Sequence, residues 1–400
     1  MLYNGTNVSV QYQQTRTVCF QNESDPYFKI QEHVQQVTTE KLLSLTLSNS
    51  IPVIFTVILV GAYVDYLGRK TIFIVAICGH FSRNLCLAVV IYWHLDTDYL
   101  FIGYGIDACC GGFCAFLLVT YAFVADHTAR SKSRTFIMGV LTLCIGLANT
   151  FGFVITGYFI QNVGYFYPMV TSVSSTLVGL LIALCCVSET LADRPKTFVS
   201  PFIGIQNVFR FYYHKDYAGQ RHLFWLASSG FFFLMIGPLV SGQTIDTLYE
   251  LNAPFCWDPI KIGWYSTATM GLLSLVGLGF LRVMQKRFSD GTIALLGVVS
   301  IGAREIYISF CDSDMMLYFA PVIGMLFFGS MAVNRSVISQ MVPKDRQGCV
   351  FASLAFVEAL MYASGGPPFN LIYKATVDYY RGAVYIVMGA IHVLDFFIFL

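Results

Sequence analysis

The 400-residue chain is 56% hydrophobic and 12% charged, with a net charge of +1. A soluble domain carries about 45–50% apolar residues, so this composition belongs in a bilayer. The near-neutral charge leaves no basic face for nucleic acid and no global field to steer acidic ligands, so recognition must happen at local sites.

Residues 1–41 are polar and carry three Asn-X-Ser/Thr sequons, at Asn4, Asn7 and Asn22. Their glycosylation requires a luminal or extracellular position. Eleven apolar runs follow, at 42–64, 71–92, 99–125, 135–160, 165–188, 223–247, 262–281, 292–311, 315–339, 348–372 and 382–400. In lipid every backbone amide must be satisfied within its own segment, and about 20 apolar residues cross the hydrocarbon as a helix. A β-barrel would instead show alternating strands of about ten residues. One set of alternate loops holds fifteen Lys and Arg, the opposite set six, which places residues 1–41 outside. A fourth sequon match, Asn334, falls within a span.

An outward-facing segment of this length calls for a preceding helix, which would make twelve spans with both ends in the cytosol. The sequence then divides into a glycosylated external loop (1–41), a helical half (42–188, helices 2–6), a cytosolic central loop (189–222) and a second half (223–400, helices 7–12). Parallel six-helix repeats mark the major facilitator transporters. The loops repeat in position: ADHTARSKSRTF (125–136) answers MVPKDRQGCVF (341–351), and GAYVDYLGRKT (61–71) answers LRVMQKRF (281–288).

Within GAYVDYLGRKT, the residues Gly61, Asp65, Gly68, Arg69 and Lys70 spell GxxxDxxGRK, which resembles the signature of the major facilitator superfamily. Gly61 would permit close helix contact and Gly68 a tight turn. Asp65 would pair with basic groups of the 4–5 loop in one conformation only, a conformational latch; the alternative is a turn whose charges merely hold topology.

The segments YNGT, Cys19 followed by FQNESDP, DTLYELNAPFCWDPIKIGWYSTA (246–268), ADHTARSKSRTF and IYKATVDYYRG (372–382) resemble solute carrier family 46 over nearly the whole chain. The resemblance implies an all-α major facilitator fold and proton-coupled transport of a small organic anion such as folate, without cofactor or metal. It further implies a disulfide between Cys19 and Cys256 across two external loops, with Cys311 a competitor near an outer helix end. Arg335 matches an arginine that the family links to substrate or proton binding, and a guanidinium fork suits a carboxylate. The other reading of Arg335 is a charge reaching the cytosolic interface. Arg381 stands where folate carriers have a lysine, and His222 matches a family histidine. Thr142, Leu239, Gly112 and Tyr104 replace ionisable residues of the folate carriers.

Charges inside spans are costly and usually functional or paired. Arg83 and Asp107 lie at similar depth in consecutive helices, and the preferred reading is a structural ion pair. Arg304 and Glu305 are neighbours and point to different helix faces, so at least one needs another partner. Glu358 is uncharged in folate carriers; it either exchanges protons or bonds a neighbouring helix. His392 and Asp395 are peripheral candidates. Gly237-Pro238 and Gly365-Gly366-Pro367-Pro368 are expected to interrupt their helices, for gating or for packing.

No HExxH, GxSxG, phosphate-binding GxxxxGK or paired Cys/His metal spacing is present, so the motifs of the common enzyme classes are missing. A receptor would want an extracellular domain or a signalling tail. Transport of a small anion with protons remains, in the plasma membrane or, alternatively, as an exporter of other anions in lysosomes or endosomes.

Overall fold

The computed structural model describes residues 26–128, 132–190, 200–214, 220–252, 254–342, 346–377 and 379–399. Asn4, Asn7, Asn22 and Cys19 lie outside them. The described residues form helices without a strand: α1 (Pro26–Leu67), α2 (Arg69–Tyr92), α3 (Leu100–Cys109), α4 (Gly112–His127), α5 (Lys132–Val163), α6 (Phe166–Cys186), α7 (Pro201–Tyr213), α8 (Arg221–Met235), α9 (Gly242–Leu251), α10 (Pro259–Met284), α11 (Asp290–Ser309), α12 (Asp314–Ile323), α13 (Phe327–Gln340), α14 (Gln347–Thr376) and α15 (Ala383–Phe399). Counting α3–α4 and α12–α13 as one span each, nine helices among the described residues are long and apolar enough to cross a bilayer.

Breaks within spans have local causes. Gly111 (φ 86°) and Gly112 (φ 55°) take the left-handed conformation between α3 and α4, which a side chain would strain. At Gly237-Pro238 the ladder slips into a π-helical segment, Ile236–Ser241, as expected where proline removes an amide donor. The interruption expected at Gly365-Gly366-Pro367-Pro368 does not occur, because α14 continues to Thr376. Two prolines remove only two donors, and without water to solvate freed carbonyls the remaining ladder persists.

The central loop is also more ordered than its sequence implied, since it contains α7. Pro201 suits the first helical turn, where its missing amide costs nothing. Gly204, Val208 and Phe211 face inward. The Tyr212 hydroxyl bonds Ser228 of α8 (2.7 Å) and Ser353 of α14 (3.2 Å), and burial pushes it above the ordinary phenol range.

Two seams join early helices to late ones. A β-carbon on Gly61 of α1 would collide with that of Ala352 on α14, so glycine sets their separation. Along α5 and α10, a β-carbon on Gly157 would stand 3.0 Å from the Pro259 carbonyl, and one on Gly263 3.1 Å from that of Phe153. Small residues let helix backbones approach this closely in lipid.

Candidate functional site

Arg335 of α13 and Glu358 of α14 are both 3% exposed, and the Arg335 Nη2 donates to Glu358 Oε1. The guanidinium carbon lies 4.1 Å from the ring centroid of Tyr121 on α4 and 5.0 Å from that of Phe231 on α8. Thr142 of α5 donates to the Met138 carbonyl (3.0 Å), so the Tyr121 hydroxyl donates to Thr142 across 2.9 Å. Tyr121 also stacks with Phe351 of α14 at 6.2 Å between centroids. One buried guanidinium therefore sits where α4, α5, α8, α13 and α14 converge.

Arg335 is enclosed by protein rather than lying at its surface. Its ion pair and two aromatic faces hold it inside. Arg335 Nε keeps no hydrogen-bond partner, leaving a donor on a fork that can take a carboxylate. Thr142, one of the departures from the folate carriers, is within this cluster. Arg381 is not: it is partly exposed in the turn before α15, roughly 25 Å from Glu358 by the rise of α14.

The GxxxDxxGRK segment forms a second cluster. Gly68 adopts φ 94°, the tight turn expected of it, and opens α2. The fully buried Arg69 pairs with Asp65 (3.2 Å) and forks onto Asp126 at the end of α4, with Nε at 2.5 Å and Nη2 at 3.2 Å. Glu189 accepts from the Arg69 and Lys70 amides at 3.0 and 3.3 Å, a carboxylate on a helix N-terminus. Lys70 donates to the last turn of α6 through Leu184 O, at 2.9 Å.

Asp65 was expected to meet bases of the 4–5 loop. Of those, Arg130 and the side chain of Lys132 lie outside the described residues, and Arg134 bonds Thr128, Ala125 O and Ser339 of α13 (3.0 Å to Oγ) among its contacts. Thr135 and Ser336 lie 2.7 Å apart beside it, so α5 and α13 are bonded together at this end.

Arg83 and Asp107 pair at 3.0 Å, as the sequence suggested. The structure adds His80 Nδ1 at 2.8 Å from Asp107 Oδ1, and Asn49 donating at 3.4 Å. His80 was missed, although its i,i+3 spacing to Arg83 puts both on one face of α2.

Arg304 and Glu305, expected to diverge, bond each other at 2.7 Å because the guanidinium folds back along α11. Arg304 also reaches Asp246 of α9 at 3.4 Å. In α15, His392 and Asp395 are buried and their side-chain polar atoms have no hydrogen-bond partner. Among the described residues Cys311 is a thiol outside any disulfide, and Cys256 is not. No cluster of metal-ligating residues occurs among the described residues.

Apolar helices long enough to cross a bilayer, packed around a buried ionic centre and carrying a GxxxDxxGRK turn at one end, are the features of a multi-pass membrane transporter. The chain belongs to the Major Facilitator Superfamily, whose model matches residues 29–366. It is similar to the proton-coupled folate transporter of Bos taurus, with 29% identity over 95% of this chain and 80% of the relative. It is also similar to the lysosomal proton-coupled steroid conjugate and bile acid symporter SLC46A3 of Homo sapiens, with 26% identity over 94% of this chain and 82% of the relative. These relatives are members of solute carrier family 46.

Among solved structures, the human organic anion transporter MFSD10 superposes with a TM-score of 0.68 at 16% identity, covering 89% of this chain and 83% of that one. The proton:xylose symporter XylE superposes with a TM-score of 0.67 at 10% identity, covering 91% and 86%. The protein is thus a multi-pass membrane transporter of the major facilitator fold.

Proposed function

We propose that this protein carries a small organic anion across its membrane by alternating access, coupled to protons. The observation that carries the reading is the buried Arg335–Glu358 pair at the convergence of five helices. A proton arriving at Glu358 removes the charge that Arg335 faces, freeing the guanidinium to hold a substrate carboxylate. Release of the substrate restores the pair and expels the proton. Relatives that are a proton-coupled transporter of folate and a proton-coupled symporter of steroid conjugates and bile acids support anion and proton as the cargo.

Under this reading Gly61, Asp65, Gly68, Arg69 and Lys70 act as the conformational latch with Asp126. Arg83 and Asp107 brace the amino-terminal helices. Arg381 supports the outer start of α15, away from the substrate. The boundaries 1–41, 42–188, 189–222 and 223–400 delimit the external loop, the two halves and the linker. Cys19 and Cys256 bridge external loops, which accords with Cys256 being no free thiol, and Asn4, Asn7 and Asn22 carry glycans. The plasma membrane is the first assignment.

The second reading is a lysosomal or endosomal exporter of non-folate anions, favoured by Thr142 and Gly112 standing where folate carriers ionise. Uptake of labelled folate at acidic and neutral pH, in cells verified to display the full-length protein, separates the two. Acid-stimulated uptake that becomes pH-independent in Glu358→Gln supports folate symport through Arg335. Absent uptake, with labelled taurocholate or estrone sulfate carried instead, moves the substrate to the second reading. Transport of neither anion rejects both.

A further inference from the structure

Between α9, α10, α11 and α13 lies a cavity of about 270 Å³, lined also by Phe153 of α5. Its lining includes Asp246, Glu250, Tyr265, Arg304, Phe327 and Phe328. Phe328 is roughly 10 Å from Arg335 by the rise of α13, so this space is separate from the Arg335–Glu358 pair.

Its acidic groups outnumber its basic ones. Arg304 serves Glu305 (2.7 Å) and Asp246 (3.4 Å), and Asp246 takes a further bond from the Tyr385 hydroxyl of α15 (2.7 Å). That single guanidinium answers two carboxylates. A third, Glu250, lines the same cavity at 2% exposure, and its Oε2 has no hydrogen-bond partner. A buried carboxyl oxygen without a partner in a membrane protein is expensive and marks a place where a donor belongs, and an ammonium there would hold the group as a carboxylate. The walls suit an organic cation: aromatic faces at Phe153, Tyr265, Phe327 and Phe328 attract cations and shed water around an apolar body.

We propose that this cavity binds a small organic cation, a primary amine with a short apolar body. Its ammonium sits on Glu250 and its body lies against the phenylalanines. The volume is below the roughly 300–1,000 Å³ of drug-sized ligand sites, so the occupant is a small molecule. The site is independent of the anion reading, since none of its groups belongs to the Arg335–Glu358 pair.

The test is binding of radiolabelled phenethylamine to the purified full-length protein in nanodiscs at neutral pH. 3-Phenylpropionate, of opposite charge, and 2-phenylethanol, neutral, serve as competitors. The expected result is saturable amine binding that neither competitor displaces, weakened at least roughly tenfold in Glu250→Gln and retained in Glu250→Asp and Glu358→Gln. A rise in the thermal unfolding temperature of the unaltered protein with phenethylamine, and none with phenylpropionate, gives the same answer if Glu250→Gln fails to fold. Absence of both saturable binding and thermal stabilisation overturns the proposal, as does equal binding by a folded Glu250→Gln protein. Loss of binding in Glu358→Gln with Glu250→Gln unaffected also overturns it, placing the amine at the central pair. Failure of anion uptake with amine binding intact rejects only the anion reading.

Discussion

Glu358→Gln leaves Arg335 charged, 3% exposed and facing a neutral amide. Removing one partner of a buried ion pair costs roughly 3–5 kcal/mol, because the other charge stays buried. Two features reduce this. The glutamine carbonyl can still accept from Nη2, and a hydrogen bond to a charged group is worth about 1.5–3 kcal/mol. The Tyr121 and Phe231 faces, at 4.1 and 5.0 Å, remain over the guanidinium. The expected loss of stability is therefore about 2 kcal/mol.

Arg335→Met removes the charge and the fork together and leaves Glu358 bare, costing nearer 3–5 kcal/mol. In the double variant Arg335→Met, Glu358→Gln no charge is stranded, so adding Glu358→Gln to Arg335→Met should cost nothing further. Equilibrium unfolding of the full-length protein in mixed micelles, followed by tryptophan fluorescence, gives the four stabilities of the cycle. A coupling energy of about 2 kcal/mol is expected. Additive effects, within roughly 0.5 kcal/mol, refute the claim that Arg335 and Glu358 hold each other in the folded protein.

Three other outcomes are expected. Gly61→Val drives a branched side chain into Ala352, so surface-displayed protein should transport poorly, and Ala352→Gly should restore part of the activity; uptake per surface molecule reads both. Tyr212→Phe deletes bonds to Ser228 and Ser353 at about 1 kcal/mol each, which should lower the unfolding temperature, and an unchanged temperature would mean that α7 is not docked through them. In the turn after α11, burial and the nearby Asp312 push the Cys311 thiol up to about 11. The folded protein thus holds that proton more tightly than the unfolded chain, and the stabilisation it gives, complete below the ordinary thiol value, is lost as pH rises from about 8.5 through about 11. Maleimide labelling at neutral pH, read by mass spectrometry, should spare Cys311 until the protein is unfolded.

The helices were legible because lipid enforces them: long apolar runs have no other way to satisfy their amides. The π-helical turn at Gly237-Pro238 was legible for the same reason, since a missing donor must be accommodated somewhere. The persistence of α14 through two prolines was not, because intrinsic propensity overstates what a break gains where no water waits to solvate it. Helix α7 went unread inside the central loop although Pro201 and the spacing of Gly204, Val208 and Phe211 mark a one-sided helix; its partners on α8 and α14 are what no local window contains. Partners of the buried charges were legible only between adjacent spans. Arg83 and Asp107 lie on consecutive helices, whereas Arg335 finds Tyr121 and Phe231 far away in sequence, and Asp246 finds Tyr385. Arg304 does find the further partner its helix face called for, Asp246, but its bond to Glu305 was not legible, because a guanidinium on a long stem reaches past its Cβ direction.

The chemistry of the seams determines where alternating access is cheap. Along α5–α10 and α1–α14, glycines bring backbones together, so separation would expose apolar surface and leave slots with no side chain to fill them. Between α5 and α13 the contact is made by hydroxyls and a guanidinium: Arg134 to Ser339 at 3.0 Å, and Thr135 to Ser336 at 2.7 Å. Water can replace such bonds nearly one for one, and the net value of each is only about 1 kcal/mol. Under the proposed cycle the α5–α10 seam, at the far end of α5, acts as the pivot and the α5–α13 end opens. Arg335 is on α13 itself, so movement at that end shifts the guanidinium relative to Tyr121 on α4, and the state of the Glu358 pair and the state of the opening are set together.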